Sequence, residues 1–284
     1  MTKLIALVDG SVYLQSVCDH VAWAAGRLNM PVELLHVIGR RETSSVPVNM
    51  SGNITLGART ALLEELSALD EQRARLAQKR GRMILDDARA AIEGAGVENV
   101  SAKLRIDDIT DAVGEAEEDG EILFLGKRGE AADFAKLHLG SNLERIARAS
   151  KKPVFVAARA FRPIKRVLIA FDGRSSSLRA VDYVARSPLF KGLELRLLMV
   201  GSDTDKHRKS LDDAHGMLER AGLDITSEMI EGHVETVISG EVEARDIDLL
   251  VMGAYDRTRI SSLILGSTTT GMIQSCKISI LLFR

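Results

Sequence analysis

Short, nearly continuous apolar runs alternate with stretches of helical periodicity along the whole chain. Leu4 to Val8 is such a run; Asp9-Gly10-Ser11 closes it, and Leu14, Val17, Val21, Ala24 and Ala25 follow at mostly helical spacing. That pattern predicts strand, loop, helix. Val32 to Ile38 (VELLHVI) reads as a second strand, and Gly39 to Gly57, rich in Ser, Asn and Gly with Pro47, as a loop or arm. From Ala58 to Glu93 strong helix formers dominate, with no proline and one internal glycine, Gly81, which predicts one very long helix or a bent pair. Strands at Val100 to Leu104, Ile122 to Leu125 and Val154 to Ala158, and helices at Asp111 to Glu118 and Ser141 to Ala149, complete the first half.

The same order then returns. Strands are predicted at Val167 to Phe171, Leu193 to Val200, Asp224 to Ile230, Leu249 to Met252 and Ile278 to Phe283, and helices at Leu178 to Arg186, Lys206 to Ala221, Val234 to Ala244 and Thr268 to Ser275. The recurrence is literal in places: KLIALVDGS from Lys3 becomes RVLIAFDGR from Arg166, and GKRG with LGSN becomes GAYD with LGST. Asp9 and Asp172 differ by 163, as do Val37 and Val200, whereas Gly126 and Gly253 differ by 127 and Gly140 and Gly266 by 126. The copies are therefore collinear, and the first carries about 36 extra residues before its glycine motif and one more inside it.

Five apolar strands alternating with helices have no polar face to give to water. The expected fold is α/β: two tandem doubly wound domains, each with a five-stranded parallel sheet flanked by helices. The expected domains are 1–158, with an extended helical segment at about 40–93, and 164–284. The linker Ala158 to Lys165 is short, so the halves are expected to pack against each other.

Composition narrows the function. A net charge of −2 with 27% charged residues leaves no basic excess for a nucleic-acid backbone. No apolar run approaches the roughly 18 residues that cross a bilayer, and the first run breaks at Asp9 before a signal-peptide pattern develops. A cytoplasmic protein without nucleic-acid or membrane partners is expected. Cys18 and Cys276 lack any CxxC or Cys/His spacing and read as two reduced, buried thiols. His36, His138 and His207 are scattered, and Gly126-Lys127 lacks the preceding glycine and following hydroxyl residue of a Walker loop. A dedicated enzyme is disfavoured.

Candidate chemistry sits where parallel sheets collect ligands, at the carboxyl ends of strands beside the point where strand order reverses. Asp9 and Asp172 follow the first strand of each half, where a carboxylate can accept from ribose hydroxyls. Val37 and Val200 end the second strand, where apolar surface can hold an adenine ring. Gly126, with Gly129, and Gly253 close the fourth strand. Gly140-Ser141 and Gly266-Ser267, followed by Thr268 and Thr269, stand before a helix, where bare backbone amides and hydroxyls can point at phosphate oxygens.

The order strand-Asp-Gly-Ser, LLHV, Gly-x2-Gly-x9-Gly-Ser/Thr, helix and a final Pro-Val-Phe/Leu-Val strand resembles the universal stress protein family over essentially the whole chain. The resemblance implies a tandem member, five-stranded parallel α/β domains that pair through their last strands, and a role in stress resistance or signalling with little or no catalysis. In one subclass the glycine motif binds ATP, so adenine nucleotide, with Mg²⁺ beside it, is the implied ligand; another subclass binds none. The fit differs between the halves. Ten residues separate Gly129 from Gly140, and Leu143 stands where ATP binders place a small hydroxyl residue; Lys127 and Arg128 could compensate by reaching phosphate. The second half keeps the nine-residue spacing and offers Ser267, Thr268, Thr269 and Thr270, but puts Asp256 at the second glycine. Adenine nucleotide is expected in at least one half, the second favoured. The alternatives are a nucleotide-free interaction module of the same fold and a weak ATP hydrolase holding Mg²⁺ through Asp172 or Asp256. A homodimer and an unidentified protein partner complete the expectation, with the charged 58–93 helix as surface feature or dimerisation arm.

Overall fold

The computed structural model describes residues 2–39, 56–129, 141–254 and 267–284, with side chains from 62 onward in the long helix and from Asn142 and Thr269 onward in the two helices that follow the later gaps. The first half runs β1 (Lys3–Leu7), α1 (Leu14–Leu28), β2 (Val32–Ile38), α2 (Leu56–Gly94), β3 (Val100–Ile106), α3 (Ile109–Ala116), β4 (Gly120–Gly126), α4 (Ser141–Ala149) and β5 (Val154–Ala157). The second runs β6 (Arg166–Phe171), α5 (Ser175–Arg186), β7 (Glu194–Val200), α6 (Asp205–Arg220), β8 (Ile225–Ile230), α7 (Val234–Ala244), β9 (Leu249–Gly253), α8 (Ser267–Ser275) and β10 (Ser279–Phe283), with a short 3-10 turn at Pro188–Phe190. The loop expected at Gly39 to Gly57 lies largely outside the described residues.

Each half has the expected parallel order, but the two sheets are one. The ten strands run β3-β2-β1-β4-β5-β10-β9-β6-β7-β8, parallel throughout except at the centre. There β5 and β10 pair antiparallel, with Val156 opposite Ile280 and Phe155 opposite Leu281, which joins the halves through their last strands. That inversion sends the carboxyl ends of β1 and β6 to opposite edges of the sheet. Both faces are covered, because alternate residues of a strand point to opposite sides: the core on one face joins Leu4 and Ala6 to residues of α1, α2, α5 and α6, and that on the other joins Ile5 and Leu7 to residues of α3, α4, α7 and α8. The outer strands β3 and β8 are the polar ones and carry Lys103, Arg105 and Glu228, which discourages pairing with further strands.

The long helix α2 closes on the sheet through Gly81. A Cβ there would stand 2.7 Å from Leu104 Cδ1 and 2.8 Å from the His36 ring, and that ring is fixed by Nδ1 lying 2.7 Å from the Val8 carbonyl. Gly81→Val should therefore cost about 2–3 kcal/mol by overpacking, offsetting any gain in helix propensity. A lower urea midpoint at unchanged slope is the expected reading.

The seam holds a buried polar chain. Ser16 Oγ donates to the Ala158 carbonyl at 2.7 Å, His20 Nδ1 lies 2.6 Å from the Ser16 carbonyl, and His20 Nε2 lies 2.8 Å from Ser279 Oγ, which accepts from Ala158 N at 3.0 Å. A neutral ring with the proton on Nδ1 satisfies every member. Burial pushes the His20 pKa below its ordinary 6.5, against the opposing pull of the Ser16 carbonyl. Because the folded state refuses a proton that the unfolded chain accepts, this contribution to stability is intact above about pH 6.5 and erodes as pH falls below it, by at most about 1.4 kcal/mol per unit. Urea midpoints at pH 7.5 and 5.5 should differ more for the native chain than for His20→Gln.

Candidate functional site

Within each half the chain leaves the first strand on one side and returns to the fourth on the other, so order reverses between β1 and β4, and between β6 and β9. The crevices outside these strand ends are the candidate sites. In the first, Asp9, Val37, Gly126 and Gly129 come together around one cavity with Tyr13, Arg128 and Leu143. Asp9 accepts from Ser11 N at 3.1 Å, and its Oδ2 lies over Gly129, 3.1 Å from where a Cβ would stand. The cavity is about 80 Å³. A ligand pocket for a molecule of nucleotide size usually exceeds about 300 Å³.

Two buried side chains stand out in its described lining. Tyr13, at the start of α1, is buried against Gly126, whose hypothetical Cβ would lie 2.5 Å from Tyr13 Cβ. Leu143, in the first turn of α4, is 2% exposed and fills the other side.

The second crevice carries different residues at those two places. The offset of 163 maps Tyr13 to Ser176, and the 126 offset maps Leu143 to Thr269. Ser176 lies against Gly253, its Oγ 2.3 Å from a hypothetical Cβ, so the glycine is required by close approach and the covering group is a hydroxymethyl rather than a phenol. Thr269 is buried and donates its hydroxyl to the Ala254 carbonyl at 3.2 Å, which fixes the first turn of α8 to the end of β9. Asp172 is held from behind and open in front. Its Oδ1 accepts from Ser177 Oγ at 2.7 Å and Arg174 N at 3.0 Å, Arg174 Nε stands 3.8 Å from Oδ2, and the side chain is 54% exposed. Val200 ends β7, half-buried beside it. Gly140, Gly266 and Asp256, and the side chains of Ser141, Ser267 and Thr268, lie outside the described residues. Neither Tyr13 nor Ser176 stood out in the sequence, although each lies four residues after the aspartate of its half.

Lys127 does not line the first crevice. Its ammonium crosses the seam and donates to the Cys276 carbonyl, where burial pushes its pKa down to about 8. Of the two cations that could reach phosphate, only Arg128 lines the crevice, and it also lines a cavity of about 250 Å³ at the seam with Lys127, Arg159 and Lys277. Among the described residues no three His, Cys, Asp or Glu side chains group as a metal site, and no helix is long and apolar enough to cross a membrane.

Two doubly wound halves, each presenting an aspartate, an apolar strand end and a glycine at its switch point, define a tandem α/β protein with two copies of one candidate site. Residues 1–158 and 163–284 each match the universal stress protein family. The chain is 34% identical over 287 residues to the universal stress protein Slr1230 of Synechocystis, covering all of both chains. Among solved structures it resembles a universal stress protein of Archaeoglobus fulgidus, with 21% identity, a TM-score of 0.68 and coverage of 99% of this chain and 98% of that one. A putative universal stress protein of Pseudomonas aeruginosa gives 15% identity, a TM-score of 0.60 and coverage of 99% and 93%. This chain is a tandem member of the universal stress protein family.

Proposed function

We propose that the protein is a cytoplasmic stress-response module that binds one adenine nucleotide per chain, in its second half, and regulates rather than catalyses. The observation that carries this reading is the contrast at one equivalent position: Tyr13 covers Gly126 while Ser176 covers Gly253. With Thr269 in place of Leu143, the second crevice carries a smaller, polar side chain at each of the two places that Tyr13 and Leu143 take in the first. There Asp172 would accept from ribose hydroxyls, Val200 would hold the base, and Gly253, Gly266, Ser267 and Thr268 would face the phosphates, with Mg²⁺ accompanying the nucleotide. The counterparts in the first half, Asp9, Val37, Gly126, Gly129, Gly140 and Ser141, fit the nucleotide-free reading, and that half serves as an interaction domain. The proposed units are 1–158 and 164–284, the segment of about 40–93 belonging to the first, and two chains form a homodimer.

Acid extraction of purified protein followed by chromatography, with calorimetric titration of ATP and Mg²⁺, tests this. Adenine nucleotide in the extract or a saturable heat is expected, without sustained phosphate release. No bound nucleotide and no heat would remove the reading.

A further inference from the structure

Helix α2 carries two apolar faces, and among the described residues only one of them packs on the rest of the fold. Ile84, Leu85, Ala88 and Ile92 are buried against α1 and the sheet. Leu62, Leu69, Leu76 and Met83, seven residues apart, are instead 37%, 50%, 67% and 59% exposed. A strict seven-residue repeat drifts by only about 20° per heptad on a straight helix, so these four form one stripe, one of the two apolar positions per heptad that a coiled-coil seam buries, while the position three residues on is polar, Glu65, Gln72 and Lys79. Four large apolar side chains in line are not the isolated exposures that any surface shows.

The charges along this part of the helix select what covers it. From 62 to 72 every charged residue is acidic: Glu65 and Asp70 lie on the stripe's side, whereas Glu64 and Glu71, each two residues beyond a stripe leucine, lie on the far side, Glu71 paired with Arg75 of its own helix. From 73 to 83 every one is basic: Arg73, Arg75, Lys79, Arg80 and Arg82. A second α2 laid antiparallel sets Leu62 opposite Met83 and Leu69 opposite Leu76, and in that register the acidic end of each helix lies along the basic end of the other. Parallel pairing would place acid on acid and base on base, which is unfavourable. The stripe and the charge reversal share one centre of symmetry between Gln72 and Arg73, as an isologous two-fold contact requires.

We propose that α2 is a dimerisation helix that pairs antiparallel with α2 of a second copy of this chain through Leu62, Leu69, Leu76 and Met83. The proposal rests on the two-chain assembly above, names its surface, and is independent of nucleotide. The last strands, already paired within the chain, are not needed for it.

Analytical ultracentrifugation of the full chain at high micromolar concentration tests it. The native protein should sediment at twice 30.9 kDa and Leu69→Glu/Leu76→Glu at 30.9 kDa with unchanged far-ultraviolet circular dichroism, since both positions are exposed. A variant with the four acids changed to lysine and one with the five bases changed to glutamate should each be monomeric alone and form a one-to-one dimer when mixed. A monomeric native chain would overturn the two-chain assembly and this surface together. A dimer that survives Leu69→Glu/Leu76→Glu would overturn the surface alone. Nucleotide titration of that variant should match the native protein, separating this result from the ligand reading.

Discussion

Ser176→Tyr is expected to weaken adenine nucleotide binding at least 100-fold, a loss of about 2.7 kcal/mol, while leaving the fold intact. The substitution gives the second half the residue that the first half already holds against the equivalent glycine. Tyr13 packs on Gly126 beside a cavity of about 80 Å³, so a tyrosine at this position is compatible with the fold of the first half and, in the second, is expected to take up the ligand's space. Calorimetric titration of ATP into Ser176→Tyr should give no saturable heat, and its urea midpoint should stay near that of the native chain. If the variant binds ATP as the native chain does, the contrast between the two crevices is not what selects the ligand.

Phe155→Ala is expected to destabilise the protein by about 3–5 kcal/mol. Phe155 is fully buried in β5, stacks on Phe124 with ring centroids 4.9 Å apart, and lies 5.2 Å from the His20 ring. It also faces Leu281 across the antiparallel join, so the cavity would open on the seam shared by both halves. Because the seam strands belong to one continuous sheet, the loss should appear as a lower midpoint of a single unfolding transition. A change below about 1 kcal/mol, or melting confined to the first half, would show that the seam does not couple the halves.

The parts of this molecule visible in the sequence are those set by local pattern. The apolar runs became the strands within a residue or two, because strands buried on both faces leave few polar positions to blur their limits. The duplication aligned Asp9 with Asp172 and Gly126 with Gly253, which placed both crevices. What stayed hidden depends on residues distant in the chain. The seam contact of His20 is with Ser279, 259 residues away, and no local signal marks it. Lys127 sits in a glycine motif from which it could reach phosphate, but the antiparallel join brings Cys276 close enough to capture it. Tyr13 was in plain view beside Asp9; only the geometry shows that it covers Gly126. The heptad spacing of Leu62, Leu69, Leu76 and Met83 is likewise present in the sequence, but which face of α2 meets the sheet is decided by Gly81 and its approach to His36 and Leu104.

Native mass spectrometry of the full chain with saturating ATP and Mg²⁺, counting nucleotides per polypeptide, tests the central claim most directly. One adenine nucleotide per chain is expected, retained in Gly126→Val, which alters only the first crevice, and absent in Ser176→Tyr. Two nucleotides per chain, none, or a single one lost in Gly126→Val would contradict the assignment of the ligand to the second half.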